Sequence, residues 1–129
     1  MTIIRAGLCG LALALTVGLS APAQAIDGLY SVEGRQPDSE QVYRGEAQIV
    51  KTGDTYSVMW RIGQMQHIGT GILRDNVLAI YFQPLHPRAS AGVASFRILN
   101  DKVAEGSWTG LGGKVVGTEH WTLIEARTR

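Results

Sequence analysis

Cysteine is almost missing from this chain of 129 residues: Cys9 is the only one, and it lies in the apolar stretch at the start. Everything after residue 25 is therefore without a thiol, which excludes disulfide staples, thiol catalysis and Cys-rich zinc sites. A domain built from that part must stand on its hydrophobic core. Charge is sparse as well, at 18% of residues. With Arg5 set aside, eleven basic side chains are balanced by eleven acidic ones, so the basic footprint of a nucleic-acid binder is excluded. A helical period is absent: no segment repeats its apolar residues every 3.6 positions for three turns. The motifs of catalysis are absent too. There is no Gly-x-Ser-x-Gly elbow and no His-Glu-x-x-His. A serine–histidine pair would have to be assembled from Ser95 or Ser107 with His120, so an enzyme is not expected. His67, His86 and His120 lack short ligand spacing and read as separate, solvent-facing residues; no metal and no cofactor is expected. Gly110-Leu111-Gly112-Gly113 precedes a strand, so it lacks the helix N-terminus that cradles phosphate and reads as a hairpin turn.

What is present begins with a three-part leader. Arg5 gives a positive start, Ala6 to Leu19 is an apolar run, and Ala23-Gln24-Ala25 is a small-x-small site. The run is shorter than the ~20 residues of a spanning helix. Residues 1–25 are therefore expected to be a signal peptide removed before Ile26, leaving 26–129 as one domain in the periplasm or the medium. Cys9 does not stand at the end of the run, where a lipoprotein cysteine would, so neither a lipid anchor nor stable membrane insertion is expected.

The period that dominates residues 26–129 is two. Tyr43, Gly45, Ala47 and Ile49 alternate with Arg44, Glu46 and Gln48; Tyr56, Val58, Trp60 and Ile62 alternate with Thr55, Ser57, Met59 and Arg61. Each segment reads as a strand with one dry face and one wet face. Strands are expected at 29–34, 43–51, 55–62, 66–73, 77–82, 92–99, 103–109 and 114–124. Short turns separate most of them, among them Thr52-Gly53-Asp54, Arg74-Asp75-Asn76 and Asn100-Asp101. About eight consecutive antiparallel strands bury their dry faces best as an up-and-down meander closing into a small barrel; a two-sheet sandwich is the alternative. Segments mostly of six to eight residues, with Arg44, Glu46, Gln48, Arg61 and Arg97 on the wet face, speak against an outer-membrane barrel. Gly45 precedes Trp60 by the same interval as Gly106 precedes Trp121, as if each glycine made room for an aromatic ring on a neighbouring strand.

Tyr30, Tyr43, Tyr56, Trp60, Phe82, Phe96, Trp108 and Trp121 fall on the dry face, with Ile49, Ile72, Leu78, Ile98 and Leu123. An eight-stranded barrel is just wide enough to be filled by side chains or to hold one small ligand, and both outcomes stay open. If there is a cavity, Tyr56, Trp60, Trp108 and Trp121 are its expected lining. Glu119 shares the dry parity of Val115, Gly117, Trp121 and Leu123. A carboxylate there needs a partner or loses its charge. It could lock onto an inward arginine or tyrosine, be turned outward by a bulge near Gly117, or orient a ligand or act as an acid or base. The longest irregular segment, 83–91, contains Pro84, His86, Pro87 and Arg88; with 35–40 it is a candidate surface for a partner.

The phrases Gly28-Leu29-Tyr30, Tyr43-Arg44-Gly45, Gly53-Asp54-Thr55-Tyr56, Gly69-Thr70-Gly71-Ile72-Leu73, Glu105-Gly106-Ser107-Trp108-Thr109 and Gly117-Thr118-Glu119 resemble, in this order, a family of small exported bacterial all-β proteins. Most of these have no assigned activity, and some are labelled fibronectin-binding. That resemblance implies an adhesive surface for a matrix or envelope protein. A fainter similarity, resting on hairpins, glycines and inward tryptophans, is to avidin-like and lipocalin-like barrels; the aromatic interior itself points instead to a carrier of a small apolar molecule. The expected function is a non-enzymatic binding role of one of these two kinds.

Overall fold

The computed structural model describes residue 18 and residues 25–86 and 89–127. The leader, with Arg5 and Cys9, lies almost wholly outside them, and so does Arg88.

Eight strands follow in chain order: β1 (Gly28–Arg35), β2 (Val42–Thr52), β3 (Thr55–Ile62), β4 (Met65–Arg74), β5 (Val77–Pro84), β6 (Gly92–Leu99), β7 (Lys102–Gly110) and β8 (Gly117–Ala126). Each pairs antiparallel with the next, and β1 also pairs with β8, so the sheet closes into a barrel and not a sandwich. Closure follows from the sequence: alternation gives every strand one apolar face, and a closed sheet buries all of these faces while leaving no unpaired edge. The tight turns at one end use the residues their geometry demands. Asp75, Asn76, Asn100 and Asp101 all adopt positive φ, as does Gly53, and Asn, Asp and Gly tolerate that region best.

The two ends of the barrel differ. At the end of the tight turns the interior is packed solid. Ile26, Tyr30, Ile49, Leu78 and Val103 are fully buried there. The Tyr30 hydroxyl donates to the Ile26 carbonyl at 2.8 Å and accepts from the Val103 N–H at 3.4 Å. Asp27 Oδ2 accepts from the Lys51 N–H at 2.7 Å, and the Asp27 carbonyl accepts from the Arg127 N–H at 3.2 Å. The segment before β1 thus forms a floor, stitched to β1, β2 and the end of the chain.

Two expectations about parity need correction. Ile72 points outward and is 62% exposed. On β4 the inward positions belong to Gly69 and Gly71; Gly71 stands opposite Ile80 and Gly69 opposite Phe82. Inward glycines hid the parity of that strand, because an alternation is read from side chains and glycine has none. Val115 is exposed as well, since β8 begins at Gly117 and not at residue 114. The last rung of the β7–β8 ladder is Trp108 opposite Gly117, and residues 111–116 form a connection in which the Thr109 hydroxyl donates to the Val115 carbonyl at 3.0 Å.

Candidate functional site

At the other end, where the β1–β2, β3–β4, β5–β6 and β7–β8 connections lie, the interior is not filled. A cavity of about 350 Å³ opens there. Its wall is mainly aromatic: Tyr43 from β2, Trp60 from β3, Phe82 from β5, Phe96 from β6 and Trp108 from β7. Ile62, Met65, His67 and Ala94 complete the apolar lining, Gln36, Ala89 and Ser90 stand at the mouth, and Glu119 from β8 is the carboxyl on the wall.

The space exists because of glycine. Four rings stand directly across a ladder rung from a glycine: Tyr43 from Gly34, Phe82 from Gly92, Phe96 from Gly106 and Trp108 from Gly117. A Cβ built on any of these glycines collides with the opposite ring, and at Gly92, Gly106 and Gly117 it also collides with the backbone carbonyl of Thr109, Ser95 or Arg35, which lies nearer still. It would meet Tyr43 Cε2 at 2.6 Å, Phe82 Cζ at 2.5 Å, Phe96 Cδ1 at 2.5 Å and Trp108 Nε1 at 2.8 Å. Each ring therefore lies over the place where a side chain would have been, against the wall and away from the barrel axis. The expectation that glycines make room for rings holds for Gly106, although the ring is Phe96 and not Trp121. It does not hold for Gly45, whose Cβ would meet the Arg61 carbonyl and the Ile62 side chain.

Glu119 is buried at 6% exposure. Of the three arrangements open in the sequence, the inward lock to a tyrosine is the one found, with two tryptophans added. The Tyr43 hydroxyl donates to Oε1 at 2.8 Å; Trp121 Nε1–H and Trp60 Nε1–H donate to Oε2 at 2.8 and 3.3 Å. No bulge turns it outward: the register shifts of the ladders fall at Leu29/Tyr30 and Arg97/Ile98. All three partners are neutral. Burial removes the carboxylate from water and raises its pKa, while the bonds from Trp121, Tyr43 and Trp60 draw it back only in part. The Tyr43 hydroxyl is raised by its own burial first and by the neighbouring Glu119 second.

Trp60, Trp108 and Glu119 thus share the cavity wall, as their parity suggested. Trp121 holds Glu119 from behind, packed between Tyr30 and Phe96 with ring centroids 5.3 and 4.8 Å away. Tyr56 is buried near the opposite end, beside the Thr52–Thr55 turn and across from Gly71. His86 is exposed on the β5–β6 connection. His120 lies on the outer surface, 3.5 Å from Glu105. His67, in contrast, departs from the solvent-facing expectation. It is half-buried on the cavity wall, 5.9 Å from the Phe82 ring, and burial lowers its pKa. Its parity with Gly69 and Gly71 was the available signal. Tyr43 and Phe82 also belong to the wall; the parity that placed them inside gave no reason to single them out.

Trp108 Nε1 is buried without a hydrogen-bond partner of ordinary geometry, although the Tyr43 hydroxyl lies near it. Among the described residues no group of three or more His, Cys, Asp or Glu could hold a metal ion. No protein-family model matches the chain, and no curated protein matches it significantly.

Proposed function

We propose that the protein is an exported binding protein, not an enzyme, that carries one small and largely apolar molecule in the open end of its barrel. The observation that carries this reading is the contrast between the two ends: a floor packed around Tyr30, and a mouth where five aromatic side chains border about 350 Å³ of space. Pockets for small molecules begin at about this size and have this character, apolar walls with a few placed polar groups. An unfilled aromatic cavity gives up packing that a core of this size could use, so a ligand that fills it is a reason for its existence. Export is supported by the place where packing begins. Ala25 is exposed, whereas Ile26 and Asp27 are buried, so removal of residues 1–25 would leave the floor intact.

Titration with N-phenyl-1-naphthylamine, a neutral dye that brightens in apolar surroundings, tests the proposal. Saturable binding of one dye per chain is expected. Ala94→Phe, which places a ring in the cavity, is expected to abolish binding while the far-ultraviolet circular dichroism is unchanged. Absence of saturable binding, or equal binding by Ala94→Phe, would overturn it.

A further inference from the structure

The cavity wall carries one carboxyl, that of Glu119. Among the described residues that line it there is no lysine and no arginine. Its titratable groups are Glu119, Tyr43 and His67, and burial favours the uncharged form of His67. Buried carboxylates in proteins are ordinarily paired with a cation or neutralised. Here three neutral donors orient the group: Tyr43 on Oε1, Trp60 and Trp121 on Oε2. Two acceptor positions on Oε2 are used, whereas Oε1 has one donor and room for a second. The surrounding surface is made of ring faces and edges from Tyr43, Trp60, Phe82 and Trp108, in mutual contact at centroid distances of 5.9 to 6.3 Å. Aromatic faces attract cations, most strongly where water is excluded, and cages of this kind hold alkylammonium groups.

Resting on the reading of the cavity as a ligand site, we infer that its ligand is an amine, bound as an ammonium ion whose charge completes Glu119 and whose apolar body lies among the rings. An anionic ligand such as a carboxylate finds no lysine or arginine among the described lining residues, and beside an ionised Glu119 it would place two like charges in one apolar cavity. A neutral ligand would gain the rings but not the charge. No covalent step is involved.

Three probes with one ring system separate these cases: 2-naphthylmethylammonium, 2-naphthylmethanol and 2-naphthoate, each used at pH 7 to displace N-phenyl-1-naphthylamine from the intact protein. The ammonium is expected to bind at least tenfold more tightly than the alcohol, and the naphthoate most weakly. In Glu119→Gln, which can still accept from Trp60 and Trp121, the preference for ammonium over alcohol is expected to fall to about threefold or less. An alcohol or naphthoate that matches or exceeds the ammonium on the unaltered protein overturns the inference and leaves the cavity reading standing. That comparison needs no variant, so poor folding of Glu119→Gln does not protect the inference. If the dye does not bind, the three probes are titrated directly by calorimetry, and if they too fail to bind, both the inference and the reading beneath it are wrong.

Discussion

Gly34→Ala is the sharpest probe of the way glycines shape the cavity. Gly34 adopts no positive φ, so its backbone accepts alanine, and the atoms a new Cβ would strike all belong to the Tyr43 ring. The ring must swing toward the barrel axis. Forcing a methyl into a packed site costs about 1–3 kcal/mol. The swing also breaks the 2.8 Å bond from Tyr43 to Glu119, and a hydrogen bond to a charged partner contributes about 1.5–3 kcal/mol. A loss of roughly 2.5–6 kcal/mol is expected, which for a domain of this size lowers Tm by about 10 °C or more. Urea denaturation measures the loss directly. The decisive comparison repeats the substitution in a Tyr43→Ala background. With the ring gone the three atoms nearest to the methyl are removed, and alanine reduces the freedom of the unfolded chain, so Gly34→Ala should there be neutral or stabilising by about 0.4–1 kcal/mol. A change of sign supports the account. An equal cost in both backgrounds refutes it, because the penalty would then come from the backbone. Gly45→Ala supplies the contrast: its Cβ meets the Arg61 carbonyl, so no side-chain truncation should rescue it.

Glu119 and Tyr30 allow two more predictions. The pKa of Glu119 is raised in the folded protein, so its contribution to stability is fully present below the unfolded-state pKa and is lost as pH rises through the folded one. The free energy of unfolding of the wild-type protein should therefore fall, relative to that of Glu119→Gln, from about pH 4 upward, and parallel stability curves in denaturant series from pH 4 to 8 would refute this sign. Tyr30→Phe removes a hydroxyl that serves both the Ile26 carbonyl and the Val103 N–H in the floor. A loss of about 1–2 kcal/mol without any change in dye binding is expected, and a stability equal to wild type would refute a structural role for that hydroxyl.

Which side each strand turns inward was largely legible, and how deep each side chain sits was not. Tyr56 and Trp60 share a face of β3, and four residues of strand separate them by about 13 Å. One therefore meets the floor and the other the cavity, a difference that alternation does not record. Glu119 was placed inside by parity alone, and correctly. Its three partners come from β2, β3 and β8, whose relative register is set by the whole closed ladder and not by any one strand. The open volume was hidden for the same reason. Eight inward rings suggest a filled barrel until four of them, Tyr43, Phe82, Phe96 and Trp108, are seen opposite their glycines, and that pairing is a property of two strands together. Ile72 shows the complementary failure, where glycine on the inward side left an outward isoleucine as the strongest apolar signal on β4.

The floor has a practical corollary. Ile26 and Arg127 belong to the same pole of the barrel, linked through the bond from the Arg127 amide to Asp27, and the cavity faces the opposite pole. A tether fused ahead of Ile26 or behind Arg127 would emerge from the sealed pole in either case. Molecules immobilised through a tether at either position should stand upright on a sensor surface, with their apertures turned toward the flowing solution.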